Sequence, residues 1–165
     1  MRQVSLCLLL KENQNNKDIL LAMKKRGFGV GKWNGVGGKI DLEKGDKNVF
    51  DSAVRETKEE IGVKIKNSEK VAIIDFCFPE VPKEKDFDQQ VHIFLVKDWE
   101  GEPAETEEMA PKWFNAAEIP FDKMWDDDRH WLPHVLDNKK IKAKFIFDKN
   151  DKVADKVIEF VEKFE

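Results

Sequence analysis

Hydrophobic positions along the chain fall into short runs separated by polar turns. Val4 to Lys11 is an apolar run of buried-strand length, and Asp18 to Lys24 is a second. The turn-rich stretch Glu12-Asn13-Gln14-Asn15-Asn16-Lys17 lies between them, so the two predict a hairpin. The spacing then changes to that of a helix over residues 48–61. Asn48 is a good N-cap, and Asp51 places a negative charge in the first turn. Val49, Phe50, Ala53, Val54 and Ile61 form the apolar stripe, and Gly62 stands where a helix commonly stops.

Strands are expected at Val63 to Lys66, Val71 to Phe78 and Val91 to Val96, with a short one at Pro111 to Phe114. Residues 79–90, PEVPKEKDFDQQ, read as an exposed loop. Residues 115–138 read as short helical turns broken by Pro120 and Pro133. Ile141 to Phe147 alternates lysine with apolar residues, the pattern of a half-exposed strand. Residues 152–164 fit either element: Val153, Val157, Phe160 and Val161 suit a helix, while Val157, Glu159 and Val161 suit a strand. Strands and helices mix without βαβ alternation. The expected class is therefore α+β, or a mixed-sheet sandwich, in a single domain over residues 1–165.

Composition narrows the function classes. Lys and Arg number 29 against 33 Asp and Glu, a net charge of −4. That balance argues against a general nucleic-acid binder, which needs a basic surface. No apolar run is long enough to span a bilayer, and the first residues lack a secretory pattern. The expectation is a cytoplasmic protein without membrane or nucleic-acid partners. Cys7 and Cys77 sit in apolar runs and are expected to be buried free thiols.

Two segments carry chemistry. Residues 24–39, KKRGFGVGKWNGVGGK, hold six of the nine glycines and five basic residues with no acid. Such a segment is a loop whose N–H groups and cations can hold phosphates. It is neither a Walker loop, because Ile40 follows Gly38-Lys39, nor a dinucleotide fingerprint. Downstream, Glu56, Glu59 and Glu60 share one helix face by i, i+3 and i+4 spacing. Carboxylates so placed repel one another unless a cation lies between them, and hard oxygen donors suit Mg²⁺ or Mn²⁺. A solvated face of exchanging ion pairs is the alternative.

Gly38 followed by Arg55-Glu56-x-x-Glu59-Glu60-x-Gly62-Val63 resembles the signature of the Nudix hydrolase family, Gly-x5-Glu-x7-Arg-Glu-U-x-Glu-Glu-x-Gly-U, with U apolar. The segments MKKRGFGVGKWNGVGGK (23–39), ETEEMAPKWF (105–114) and IPFDKMWDDDRHWLP (119–133) are similar to a subgroup acting on oxidised purine nucleoside triphosphates. The resemblance implies a mixed β-sheet sandwiched between helices and a Mg²⁺ cofactor, with Mn²⁺ as substitute. It implies a monomer that hydrolyses its substrate to nucleoside monophosphate and pyrophosphate, sanitising the nucleotide pool. Glu56, Glu59 and Glu60 would be catalytic and hold the metal, with Glu108 and Gly38 as further ligands, and Arg55 would orient the glutamates. The purine would meet Trp125, Asn34, Phe28, Phe76, Phe78, Asp127 and Asp128, and the phosphates Lys24, Gly37 and Gly38. A Nudix pyrophosphatase with another substrate, or a Nudix-fold module that binds nucleotides without hydrolysing them, are the alternatives.

The chain departs from the family pattern at one place. Gly38 to Arg55 spans seventeen positions instead of fourteen, and Lys47 stands where the pattern has its first Glu. The three extra residues fall in Asp41 to Asp46, which reads as a dispensable solvated turn. Glu43 is the candidate replacement for the missing acid.

Overall fold

The computed structural model describes residues 1–164. Eight strands and two α-helices follow one another as β1 (Arg2–Glu12), β2 (Lys17–Lys24), β3 (Trp33–Asn34), α1 (Val49–Ile61), β4 (Lys64–Cys77), β5 (Gln89–Glu100), β6 (Met109–Asn115), α2 (Asp128–Leu136), β7 (Lys140–Phe147) and β8 (Val153–Val161). The strands pair in the order β3-β2-β1-β5-β4-β7-β8, and β6 pairs with the other edge of β2. Pairings β1–β5 and β4–β7 are parallel and the rest antiparallel, so the sheet is mixed.

Alternation along β1 shows why both faces need a cover. Leu8 and Leu10 belong to one buried cluster, which includes Trp131, Leu132 and Val135 of α2. Cys7 and Leu9 belong to the other, which includes Ala53 and Ile61 of α1. A strand with apolar residues on both faces must lie between two layers. The sheet is thus sandwiched between the helices, as the family resemblance implies.

Most predicted elements are present, with some differences. The two expected strands at 63–66 and 71–78 are one strand, β4, whose register against β5 shifts at Ile65/Asn67, Asn67/Ser68 and Lys70/Ala72. Those bulges interrupt the alternation that makes a strand readable. Pro133 does not break α2: it sits inside the helix, whose buried Trp131, Leu132, Val135 and Leu136 anchor it to the sheet. Residues 153–161 resolve as a strand, because β7 offers an open edge to pair with. Cys77 is half-buried rather than buried, and both thiols are free. No helix among the described residues is long and apolar enough to cross a membrane.

Helix α1 starts and stops as its sequence requires. The Asn48 side chain accepts from the Asp51 N–H at 2.9 Å, and Asp51 in turn accepts from the Lys47 N–H at 2.9 Å. Gly62 ends the helix at φ 75°, a left-handed conformation that favours glycine. The buried face differs from the expected stripe. Phe50 is exposed, while Ser52, Ala53, Thr57, Glu60 and Ile61 are buried.

The inserted segment is not a loose turn. Leu42–Lys44 form one 3-10 turn capped by Asp41, and Asp46 behind it is buried. Its carboxylate accepts from Arg55 Nε at 3.1 Å and from Arg55 Nη2 at 2.8 Å, and it also accepts the Asp41 N–H at 2.9 Å. Glu43, the residue expected to replace the missing acid, is exposed. The acid of this segment that Arg55 holds is Asp46, next to Lys47.

Replacing Asn48 by Ala should destabilise the protein by about 1 kcal/mol, the usual worth of a side-chain N-cap. Urea unfolding checks this, and an unchanged midpoint would contradict the cap. Asp46→Ala should cost about 2–3 kcal/mol, because it strips charged hydrogen bonds from a largely covered guanidinium. Glu43→Ala should stay within about 0.5 kcal/mol. Arg55 holds the Asp46 carboxyl below its usual range. Its contribution is then complete above about pH 4, where the unfolded carboxyl is ionised, and fades as pH falls through the lower folded value. The stability gap between wild type and Asp46→Asn should accordingly be flat at neutral pH and close in acid. A gap that widened in acid would contradict the pairing.

Candidate active site

Glycine sets where the loop and the glutamate helix meet. β1 leaves β2 beyond Leu10, and the glycine-rich segment takes the vacated edge through bridges Cys7–Val36 and Val4–Lys39. The approach leaves no room for side chains. A β-carbon at Gly37 would lie 2.1 Å from the Ser5 carbonyl oxygen, and one at Gly35 would lie 2.7 Å from that of Cys7. At Gly38 it would lie 2.7 Å from the Glu56 carboxyl carbon. The glycines thereby bring backbone against the acidic face of α1.

The three glutamates of that face have different surroundings. Glu60 is 3% exposed and accepts the Gly37 N–H at 3.0 Å. Burial and the neighbouring Glu56 and Glu108 charges push its carboxyl up to about 8, against the Gly37 hydrogen bond and Lys24. Glu56 accepts from Arg55 Nη1 at 3.0 Å, and its carboxyl is raised by burial against the pull of Arg55. Glu59 lies at the outer rim, held by Arg55 at 3.2 Å and Lys44 at 3.6 Å. Arg55 also donates to the Lys39 carbonyl at 3.1 Å, so one guanidinium ties the inserted loop, the glycine segment and two glutamates together.

A buried carboxyl lifted by two like-charged neighbours is the electrostatic situation that a divalent cation relieves. The donor set is hard oxygen, suited to such an ion. Among the described residues, no group of three acidic, histidine or cysteine side chains is already closed around one point. Glu108 is on the loop beside Glu60 and meets Arg26 at 3.5 Å. Gly38 is engaged with the scaffold. Its carbonyl oxygen accepts from the Ser5 N–H at 2.9 Å, from Ser5 Oγ at 3.2 Å and from Ser52 Oγ at 3.3 Å. It faces the scaffold, and its contribution is its lack of a side chain beside Glu56.

One cavity of about 420 Å³ reaches from this face to an aromatic pocket. Lys24, Gly37, Gly38 and Glu60 line it, together with Asn34, Phe28, Phe76, Phe78, Trp125, Asp127 and Asp128. Phe28 and Trp125 lie 5.1 Å apart at 33° across the mouth, and Lys32 Nζ is 5.1 Å from the Trp125 ring. Asn34 is held by its own backbone, its Oδ1 accepting the Gly35 N–H at 2.9 Å. Phe87 and Phe147 also line the cavity and escape a sequence reading. Phe87 stands in a charged loop, yet its ring lies 5.1 Å from Phe28 and 6.0 Å from Phe78.

Asp127 and Asp128 are both 3% exposed. Asp127 precedes α2 but makes no capping hydrogen bond; its Oδ2 instead accepts from Trp131 Nε1 at 2.7 Å. Burial raises both carboxyls, and Asp128, facing the Asp127 charge, is raised well above the ordinary range. Asp128 Oδ2 is buried with no hydrogen-bond partner. A protonated Asp128 beside an ionised Asp127 presents a donor and an acceptor on adjacent residues. The histidines lie outside this arrangement. His92 bridges Lys70 at 3.0 Å and Gln3 at 2.7 Å, and burial lowers it to about 4.

Comparison with known proteins agrees with this geometry. The chain is 41% identical over 144 residues to the oxidized purine nucleoside triphosphate hydrolase of Danio rerio, covering 87% of this chain and 88% of that one. It is 41% identical over 146 residues to the Mus musculus protein of the same name, covering 88% and 89%. Among solved structures, the MutT protein of Bacillus halodurans superposes with a TM-score of 0.77 at 21% identity, over 96% of this chain and 98% of that one. The NUDIX domain of Shewanella oneidensis NrtR, solved with ADP ribose, superposes with a TM-score of 0.65 at 14% identity, over 84% and 88%. Both show the shared fold. The NUDIX domain model matches residues 1–135, and the chain belongs to the Nudix family.

Proposed function

We propose that this protein hydrolyses oxidised purine nucleoside triphosphates of the 8-oxo-dGTP and 2-oxo-dATP type to the monophosphate and pyrophosphate, with Mg²⁺ as cofactor and Mn²⁺ as substitute. In this reading it acts on free nucleotides as a monomer in the cytoplasm and keeps oxidised purines out of the nucleotide pool. The observation that carries it is one cavity lined both by Asp128, whose buried oxygen is unpartnered, and by Glu60. The names of the 41% identical relatives support it.

The purine edge meets Asp127 and Asp128 with its face on Trp125, while Asn34 offers a further directional contact. Phe28, Phe76 and Phe78 exclude water from the base. Lys24 and the Gly37–Gly38 backbone face the phosphates. Glu56 and Glu60, with Glu59 and Glu108 at the rim, hold the divalent ion. That ion supplies charge neutralisation of the polyphosphate and a more acidic water. Water attacks phosphorus, the bond in the α–β bridge breaks, and pyrophosphate leaves with the bonding electrons. A glutamate takes the proton from the attacking water. Arg55 orients Glu56 and Glu59. With Asp46 supplying its acid, the departure at Lys47 no longer argues for a non-hydrolysing module.

Pyrophosphate release from 8-oxo-dGTP, 2-oxo-dATP, dGTP and ADP-ribose, with and without Mg²⁺, tests the reading. Metal-dependent turnover should favour the oxidised triphosphates. Preference for ADP-ribose, or binding without turnover, would overturn it. Glu60→Gln and Glu56→Gln should each lower turnover at least about tenfold, the low side for a lost general base. Binding of the nucleoside monophosphate should change little. Full Mg²⁺-dependent activity in both variants would refute the metal assignment.

Asp127→Asn and Asp128→Asn should alter base preference unequally, since one acid donates and the other accepts. An unpaired group in a desolvated pocket costs about 1–3 kcal/mol, roughly 5- to 150-fold in affinity. The readout is kcat/KM on oxidised guanine and oxidised adenine triphosphates from acid to neutral pH. Equal, pH-independent losses on every substrate would remove these residues from the purine site.

A further inference from the structure

Three segments meet at the carboxyl end of α1, and one hydroxyl joins them. Thr106 Oγ1 donates to the Glu60 carbonyl oxygen at 2.8 Å. Thr106 Oγ1 in turn accepts from the Met109 N–H at 3.2 Å and from the Glu108 N–H at 3.3 Å. The Thr106 N–H closes the turn by donating to the Met109 carbonyl at 2.9 Å. The Thr106 carbonyl accepts Lys25 Nζ at 2.8 Å, and the Lys25 N–H donates to the Glu108 carbonyl at 2.9 Å. Next to it, the Ala104 N–H donates to the Ile61 carbonyl at 3.0 Å.

The last carbonyls of a helix have no partner within it. Here a side chain from a distant loop takes one of them, at the residue whose carboxylate is buried against Gly37. That side chain also fixes the turn bearing Glu108. Glu108 needs such help, because its own side chain is 54% exposed and makes only the 3.5 Å contact with Arg26. Its position is therefore set by the backbone, and Thr106 is the side chain that ties that backbone to Glu60.

We propose that Thr106 is a positioning residue that sets the separation of Glu60 and Glu108 for the divalent ion. The proposal rests on the function proposed above, in which both acids serve the metal. Thr106→Val keeps the side-chain shape and removes the hydroxyl; Thr106→Ser keeps the hydroxyl. Mn²⁺ affinity is read by electron paramagnetic resonance on the free protein, and kcat and KM on 8-oxo-dGTP.

Thr106→Val should weaken Mn²⁺ binding by about tenfold, the low end for losing an outer partner of a metal ligand. It should lower kcat with little change in KM, and Thr106→Ser should restore both. Unchanged Mn²⁺ affinity and kcat with only a lower Tm would overturn the proposal. If the valine variant does not fold, Thr106→Ala takes its place. In a cycle with Glu108→Gln, the two losses should not add, because Thr106 acts through Glu108. Additive losses would also overturn the proposal. Failure of the metal reading itself is separate: it would show as Glu60→Gln keeping wild-type Mn²⁺ binding.

Discussion

Where the glycine-rich segment passes β1, the two backbones are too close for a β-carbon between them. Gly35 and Gly37 sit against carbonyl oxygens of β1, and Gly38 sits against Glu56. This absence of side chains fixes the rest of the site. It lets the Gly37 N–H reach Glu60, and it closes the gap that β1 leaves when it parts from β2. It also sets Asn34, just upstream, in the wall of the same cavity. The buried Ser5 and Ser52 hydroxyls, 3.0 Å apart, then hold the Gly38 carbonyl from β1 and α1 together. One crowded contact thus joins β1, the glycine segment and α1 beside the cavity.

The site stores charge on both sides of that contact. Glu60 and Glu56 are held near each other where burial opposes ionisation, and Arg55 offsets part of the cost. Asp127 and Asp128 repeat the arrangement at the other end, with Trp131 as the offsetting donor. A folded protein tolerates such clusters when they serve a ligand, because they detract from its stability. In the proposed function the ligand at the glutamates is a cation, and at the aspartates a neutral polar edge that can use both a donor and an acceptor. A purine triphosphate with its metal has both features, separated by the sugar.

Much of this was legible in the residues. The caps of α1 were readable because Asn48 and Gly62 act through local backbone geometry. The acidic face was readable because helical spacing alone aligns it. What escaped depends on contacts distant in sequence. Asp46 was hidden because the motif counts fixed positions, whereas a longer loop delivers a carboxylate to Arg55 by another route. Residues 153–161 carry apolar residues at four-residue intervals, and only pairing with β7 makes them a strand. Phe87 lies among charges in PEVPKEKDFDQQ, and its ring contact with Phe28 requires the folded pocket. Thr106 has no motif of its own; its meaning comes from the helix end it touches.

The central claim is that one cavity seats the purine at Asp127 and Asp128 while the metal lies at Glu56 and Glu60. A crystal structure with Mn²⁺ and a non-hydrolysable 8-oxo-dGTP analogue tests it most directly, with the ion located by its anomalous signal. The account predicts an anomalous peak beside the Glu56 and Glu60 carboxylates, the base on Trp125, and its edge on the two aspartates. A peak confined to the outer Glu59 rim, or a base bound away from Asp127 and Asp128, would contradict it.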